Sequence, residues 1–199
     1  RTMKSIPNIL STLRIVLAPV FLYLYLEGGL IWGLLSILVF TIAAVTDYFD
    51  GHYARKYEIE TSLGVFLDPL ADKILTFSAF IVLPFIDETQ FPWWAVSLII
   101  IRDVFMTGLR VYANKKNMEM KTRNLAKTKT TIQLTFLYIA LLLGVFEGTN
   151  NLIAEWAELI LNTGVMYWLM MFVTFITVYS GVEYVFTNKK LFRSSGSSS

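Results

Sequence analysis

The sequence predicts an all-α integral membrane protein: six transmembrane helices with an N-terminal interfacial segment, both termini cytoplasmic. Three observations predict it. Of 199 residues, 55% are hydrophobic and only 16% charged. A soluble domain is about one quarter charged, so too little polar surface remains here to face water. Six apolar stretches approach the roughly 20 residues that cross about 30 Å of hydrocarbon as a helix, the form that keeps backbone groups paired in lipid. Lysine and arginine collect in alternate connections.

The elements follow in order. Residues 6–26 form the first span; Pro19, Tyr23 and Tyr25 follow one another without a small-residue cleavage pattern, so it reads as a span and not a cleaved signal peptide. Further spans are expected at 30–46, 70–86, 93–112, 130–146 and 163–186. Residues 152–161 form an amphipathic run with Glu155 and Glu158 on its polar side, the pattern of an interfacial helix. There is no internal repeat. Residues 3–190 read as one membrane domain and 191–199 as a tail, with 194–199 and Arg1-Thr2 reading as low-complexity remnants of expression.

Charge placement sets the orientation. The connections 27–29, 87–92 and 147–162 carry six acids, Glu27, Asp87, Glu88, Glu147, Glu155 and Glu158, and no Lys or Arg. The other connections hold Lys4, Arg55, Lys56, Lys115, Lys116, Lys121, Arg123, Lys127, Lys129, Lys189, Lys190 and Arg193. Basic loops stay cytoplasmic, which places both termini there, and Trp32, Trp93 and Trp94 at the outer interface. The absence of cysteine excludes a disulfide scaffold, and a net charge of +2 gives no sign of a nucleic-acid partner.

Between the second and third spans, Asp47 and Asp50 stand three apart, and Asp68 and Asp72 four apart. On helices each pair projects from one face. Four carboxylates converging at a membrane boundary repel one another and are costly unless cations neutralise them. Oxygen ligands point to a hard divalent ion, Mg²⁺ or Mn²⁺. Gly51 and Gly64 read either as packing glycines or as places where backbone approaches a nucleotide closely. Arg102, with Asp103, lies deep in the fourth span, where it is expensive unless it faces a polar cavity or pairs with an acid.

The run Asp47-x2-Asp50-Gly51-x2-Ala54-Arg55-x8-Gly64-x3-Asp68-x3-Asp72 resembles, at every fixed position, the signature of the CDP-alcohol phosphatidyltransferase family. The resemblance implies transfer of a phosphatidyl group from a CDP-linked lipid, CDP-diacylglycerol, to an alcohol, with release of CMP at a two-metal site. It implies that Asp47, Asp50 and Asp68 ligate metal, and that Asp72 borders the second metal and takes the proton from the attacking hydroxyl. Gly51, Ala54, Arg55 and Gly64 would line the cytidine diphosphate side. The family also implies a homodimer. His52, the only histidine, occupies a variable position and reads as surface-facing.

Arg102-Asp-Val-Phe-Met-Thr-Gly-Leu-Arg110, the segment 127–133 and Pro7-Asn8-Ile-Leu-Ser-Thr12-Leu-Arg14 are similar to the branch of that family whose acceptor is sn-glycerol 3-phosphate, although Ala126 stands where that branch has glycine. The resemblance implies that Arg110, Lys127, Lys129 and Arg102 bind the acceptor phosphate, with Asn8, Thr12 and Arg14 supporting the pocket. A small dianion suits such cations. Arg110 also reads as a snorkelling anchor, and Lys115, Lys116 and Lys121 as positive-inside charge attracted to anionic membrane lipid. The competing readings are a relative using inositol phosphate, serine or phosphatidylglycerol, and a divalent-cation transporter, whose acids belong nearer mid-membrane.

Overall fold

The computed structural model describes residues 6–57, 64–115, 124–147, 149 and 152–187, with side chains at 12–46, 73–113 and from 129 onward within those ranges. These residues form α1 (Ile6–Glu27), α2 (Leu30–Tyr57), α3 (Gly64–Ile86), α4 (Trp93–Lys115), α5 (Asn124–Phe146), α6 (Leu152–Asn162) and α7 (Val165–Thr187). The N-terminal interfacial segment expected ahead of the first span lies outside the described residues.

Short connections turn the chain back on itself. Gly28 and Gly29, with φ of 80° and 81°, adopt the left-handed backbone that ends α1 and aims α2 back along it. After α3, Asp87 Oδ1 accepts hydrogen bonds from the Thr89 amide (2.8 Å), the Thr89 hydroxyl (2.6 Å) and the Gln90 amide (3.2 Å). This acidic turn satisfies backbone donors that would otherwise lack partners. Gln90 Oε1 in turn accepts from the Tyr167 amide at 3.0 Å, capping the first turn of α7.

α1 packs along both α2 and α3, α7 packs along α4 and α5, and α3 and α5 join the two groups. Aromatic rings fill the centre: Phe21 meets Phe40 at 5.2 Å, Phe40 meets Tyr138 at 5.3 Å and Phe91 meets Phe136 at 6.1 Å. Close crossings need residues without side chains. A Cβ on Gly33 would sit 2.7 Å from Val145 Cγ2, so α2 and α5 touch there backbone to side chain.

The outer surface is apolar. On α7, Val165, Trp168, Phe172, Phe175, Tyr179, Val182 and Phe186 are all exposed, a stripe at three- and four-residue spacing running about 32 Å along the helix. Water does not tolerate a patch of that size, whereas lipid does. Among the described residues two helices are long and apolar enough to cross a membrane, through Lys129–Phe146 and Val165–Thr187. The protein is therefore read as a membrane protein. On α6, Ala154, Ala157 and Leu161 are buried, while Ile153, Trp156 and Leu159 are exposed.

Candidate active site

α2 does not stop where its apolar stretch does. It stays helical through Tyr57, so Asp47, Asp50, Gly51, Ala54 and Arg55 occupy its last three turns at positions i, i+3, i+4, i+7 and i+8, one face of the helix. α3 begins at Gly64, earlier than its apolar stretch, and Asp68 and Asp72 follow at i+4 and i+8, again one face. The paired positions are about 4.5 Å and 6 Å apart in rise along their helix axes. Their side chains, with those of Arg55, Asn8 and Lys127, lie outside the described residues, as does the connection 58–63.

Four aspartates at helical spacing would offer only oxygen donors, the chemistry that hard divalent cations take. Among the described residues no group of three or more histidines, cysteines or acids is placed to hold a metal.

A polar centre among the described side chains forms where α3, α4, α5 and α7 meet. Asp103 on α4 is buried, its side chain 1% exposed, and three cations from three helices meet it. Lys129 Nζ, from α5, donates to Asp103 Oδ1 at 2.6 Å, and Arg102 Nη1 donates to the same oxygen at 2.8 Å. Lys73 Nζ, from α3, stands 3.8 Å from Oδ2. Arg102 also reaches α7, where Nη2 donates to Ser180 Oγ at 2.8 Å. Gly181 makes room for it: a Cβ there would lie 3.0 Å from Arg102 Nε and 3.1 Å from Cγ. Ion pairs this deep are tolerable because each charge has a close partner.

The expected acceptor-site residues divide. Arg102 and Lys129 are brought together on Asp103. Arg110 lies eight residues further along α4, about 12 Å of rise, and is exposed. On α1, Arg14 is buried and Thr12 exposed. The sequence reading missed Lys73, Ser180 and Gly181, and mentioned Asp103 only as a neighbour. Its available signals were a lysine directly after the last signature aspartate and a Ser-Gly pair in an apolar span.

Comparison with known proteins gives the family. The profile of the CDP-alcohol phosphatidyltransferase family matches residues 4–182, and the chain belongs to that family. It is 38% identical to a Cereibacter sphaeroides protein over 73% of this chain and 65% of the relative, slightly under two thirds of that protein's length. Identity to a Rickettsia bellii protein is 35% over 89% and 93% of the two chains, and to a Bacillus subtilis protein 34% over 97% and 100%. All three relatives bear the name CDP-diacylglycerol–glycerol-3-phosphate 3-phosphatidyltransferase.

Proposed function

We propose that this chain transfers the phosphatidyl group of CDP-diacylglycerol to sn-glycerol 3-phosphate, giving phosphatidylglycerol phosphate and CMP in phospholipid biosynthesis. The observation that carries the reading is the complete aspartate signature on single faces of α2 and α3. The shared name of relatives that align along nearly the whole chain supports the acceptor.

In this reading the enzyme is a bacterial cell-membrane protein with six spans, formed by every helix except α6. Both termini and the active site face the cytosol, residues 3–190 act as one domain, and two copies form a homodimer. The all-acidic outer connections and the basic ones opposite support the orientation.

Asp47, Asp50, Asp68 and Asp72 hold two divalent cations, Mg²⁺ or Mn²⁺. When bound, such a pair neutralises charge on the attacked phosphate and the departing CMP oxygen. Arg55 pairs with the diphosphate, and Gly51, Ala54 and Gly64 leave space for the nucleotide along the same two helix faces. Lys129, Arg102, Arg110 and Lys127 hold the acceptor's phosphate by charge-assisted hydrogen bonds, and Asn8, Thr12 and Arg14 line the approach. The primary hydroxyl of glycerol 3-phosphate attacks the β-phosphorus in line. Its proton passes to Asp72 as the bond from that phosphorus to the CMP oxygen breaks.

The test uses purified protein with CDP-diacylglycerol, labelled glycerol 3-phosphate and Mg²⁺ or Mn²⁺. CMP and labelled lipid are expected in equal amounts, with chelator stopping both. Asp68→Asn and Asp72→Asn are expected to lower turnover by about 10²-fold or more; near-normal rates in either would refute the two-metal assignment.

A further inference from the structure

We propose that Asp103 is a positioning residue for the acceptor: a buried carboxylate that holds Lys129 and Arg102 in the geometry needed to grip a phosphate monoester. The proposal rests on the reading of the chain as a glycerol 3-phosphate transferase and assigns a role to a residue that reading leaves unused.

Arg102 and Lys129 both donate to Asp103 Oδ1, at 2.8 and 2.6 Å, two cations on one carboxylate oxygen. One would serve to neutralise the carboxylate, and apolar residues of similar volume pack as well as such a cluster or better. Two cations with donors to spare suit a phosphate monoester, which carries close to two negative charges at neutral pH.

Hydrogen bonding points the same way. Asp103 Oδ1 accepts from two cations, whereas Oδ2 accepts no hydrogen bond. Arg102 Nε, Gln133 Nε2 and Thr177 Oγ1 are also buried without a hydrogen-bond partner. Gln133 follows Lys129 by one helical turn, and Thr177 precedes Gly181 by one turn, so these atoms stand on the helix faces that carry the ion pairs. Unpaired buried polar atoms are costly, and on helix faces that carry two cations they suit an oxygen-rich anion.

Asp103 cannot itself contact that anion favourably, because the charges are alike. It acts through its partners. Lys129 keeps ammonium hydrogens beyond the one given to Oδ1. Arg102 is fixed from both sides, by Asp103 and by Ser180, so the donors are already in place when the acceptor arrives and less ordering is lost on binding. Lys73 follows Asp72 directly in α3, so its ion pair with Asp103 ties the acceptor's cations to the turn bearing the proposed base.

The sign of one kinetic change separates positioning from simple charge balance. Asp103→Asn removes a negative charge, so a purely Coulombic role predicts a lower KM for glycerol 3-phosphate. Positioning predicts a rise, because Lys129 and Arg102 lose the group that aims them. In the full-length protein in lipid nanodiscs, Asp103→Asn is expected to raise the KM for glycerol 3-phosphate about tenfold, the scale of one charge-assisted hydrogen bond. The KM for CDP-diacylglycerol should stay within about twofold, as for a lesion confined to one substrate.

Ser180→Ala leaves every charge in place and carries the same test where Asp103→Asn does not fold; its expected effect is a rise of about threefold for glycerol 3-phosphate alone. An unchanged or lower KM for glycerol 3-phosphate, or equal changes for both substrates, overturns the proposal. Wild-type protein that releases no CMP with glycerol 3-phosphate overturns the functional reading, and the proposal with it. Activity in the wild type with unshifted variants overturns the proposal alone.

Discussion

Carboxylates at the two ends of α5 are stabilised by opposite means. Near its start, Asp103 is enclosed and meets three cations, two of them within 2.8 Å. Beyond its other end, about 27 Å away along the helix, Asp87, Glu147 and Glu158 stand in connections without Lys or Arg. Asp87 satisfies itself on backbone amides and a hydroxyl of its own turn. Glu147 is pushed above its ordinary pKa of 4.5, chiefly by partial burial and then by the carboxylates of Asp87 and Glu158. Depth explains the contrast: a carboxylate in the bundle needs cations, whereas one at the boundary manages with amides and water. The buried group is the one organised for binding.

The largest way to break this contrast is Lys129→Met. It removes the closer of two hydrogen-bonded cations from a buried carboxylate that keeps Arg102, and loss of such a charge-assisted hydrogen bond costs about 1.5–3 kcal/mol. Thermal denaturation in detergent should show the loss, together with loss of glycerol 3-phosphate-dependent CMP release. Next in size is Gly33→Ala, at an apolar crossing where Val145 cannot give way freely. About 1–3 kcal/mol of overpacking is expected, with both KM values of the surviving enzyme unchanged.

Gly181→Ala sharpens the comparison by making the same small change against the polar centre. Its new methyl group meets the flexible side chain of Arg102, so about 1 kcal/mol of stability is expected to be lost. Here the KM for glycerol 3-phosphate should rise, measured by the same CMP assay.

The smallest effect belongs to the boundary acids. A folded-state pKa raised above 4.5 means that Glu147 costs no stability below pH 4.5 and costs progressively more as pH rises through its folded value. Glu147→Gln should therefore match the wild type in acid and melt slightly higher at neutral pH. Solvent screening keeps the gain below about 0.5 kcal/mol; differential scanning fluorimetry across pH 4 to 8 would show it.

Much of the fold was legible because apolar runs of helical length leave few alternatives. Among the described residues, the seven helices stand where six long apolar stretches and one amphipathic run lie. Their ends were less legible: α2 continues to Tyr57 and α3 starts at Gly64, beyond the apolar residues, because helical hydrogen bonding does not depend on hydropathy. The aspartate signature was readable because it is local, all within residues 47–72. The Asp103 centre was not. Arg102 stood out as a costly charge and Lys129 through the family resemblance, but their meeting point depends on how α3, α4, α5 and α7 pack, with Arg102 and Ser180 separated by 78 positions. No spacing rule reports such a contact.

The most direct measurement is CMP release from CDP-diacylglycerol by the purified protein with one acceptor at a time: glycerol 3-phosphate, inositol phosphate, serine and phosphatidylglycerol. Release with glycerol 3-phosphate alone is the predicted result. Release that ignores glycerol 3-phosphate but responds to one of the others would contradict the account.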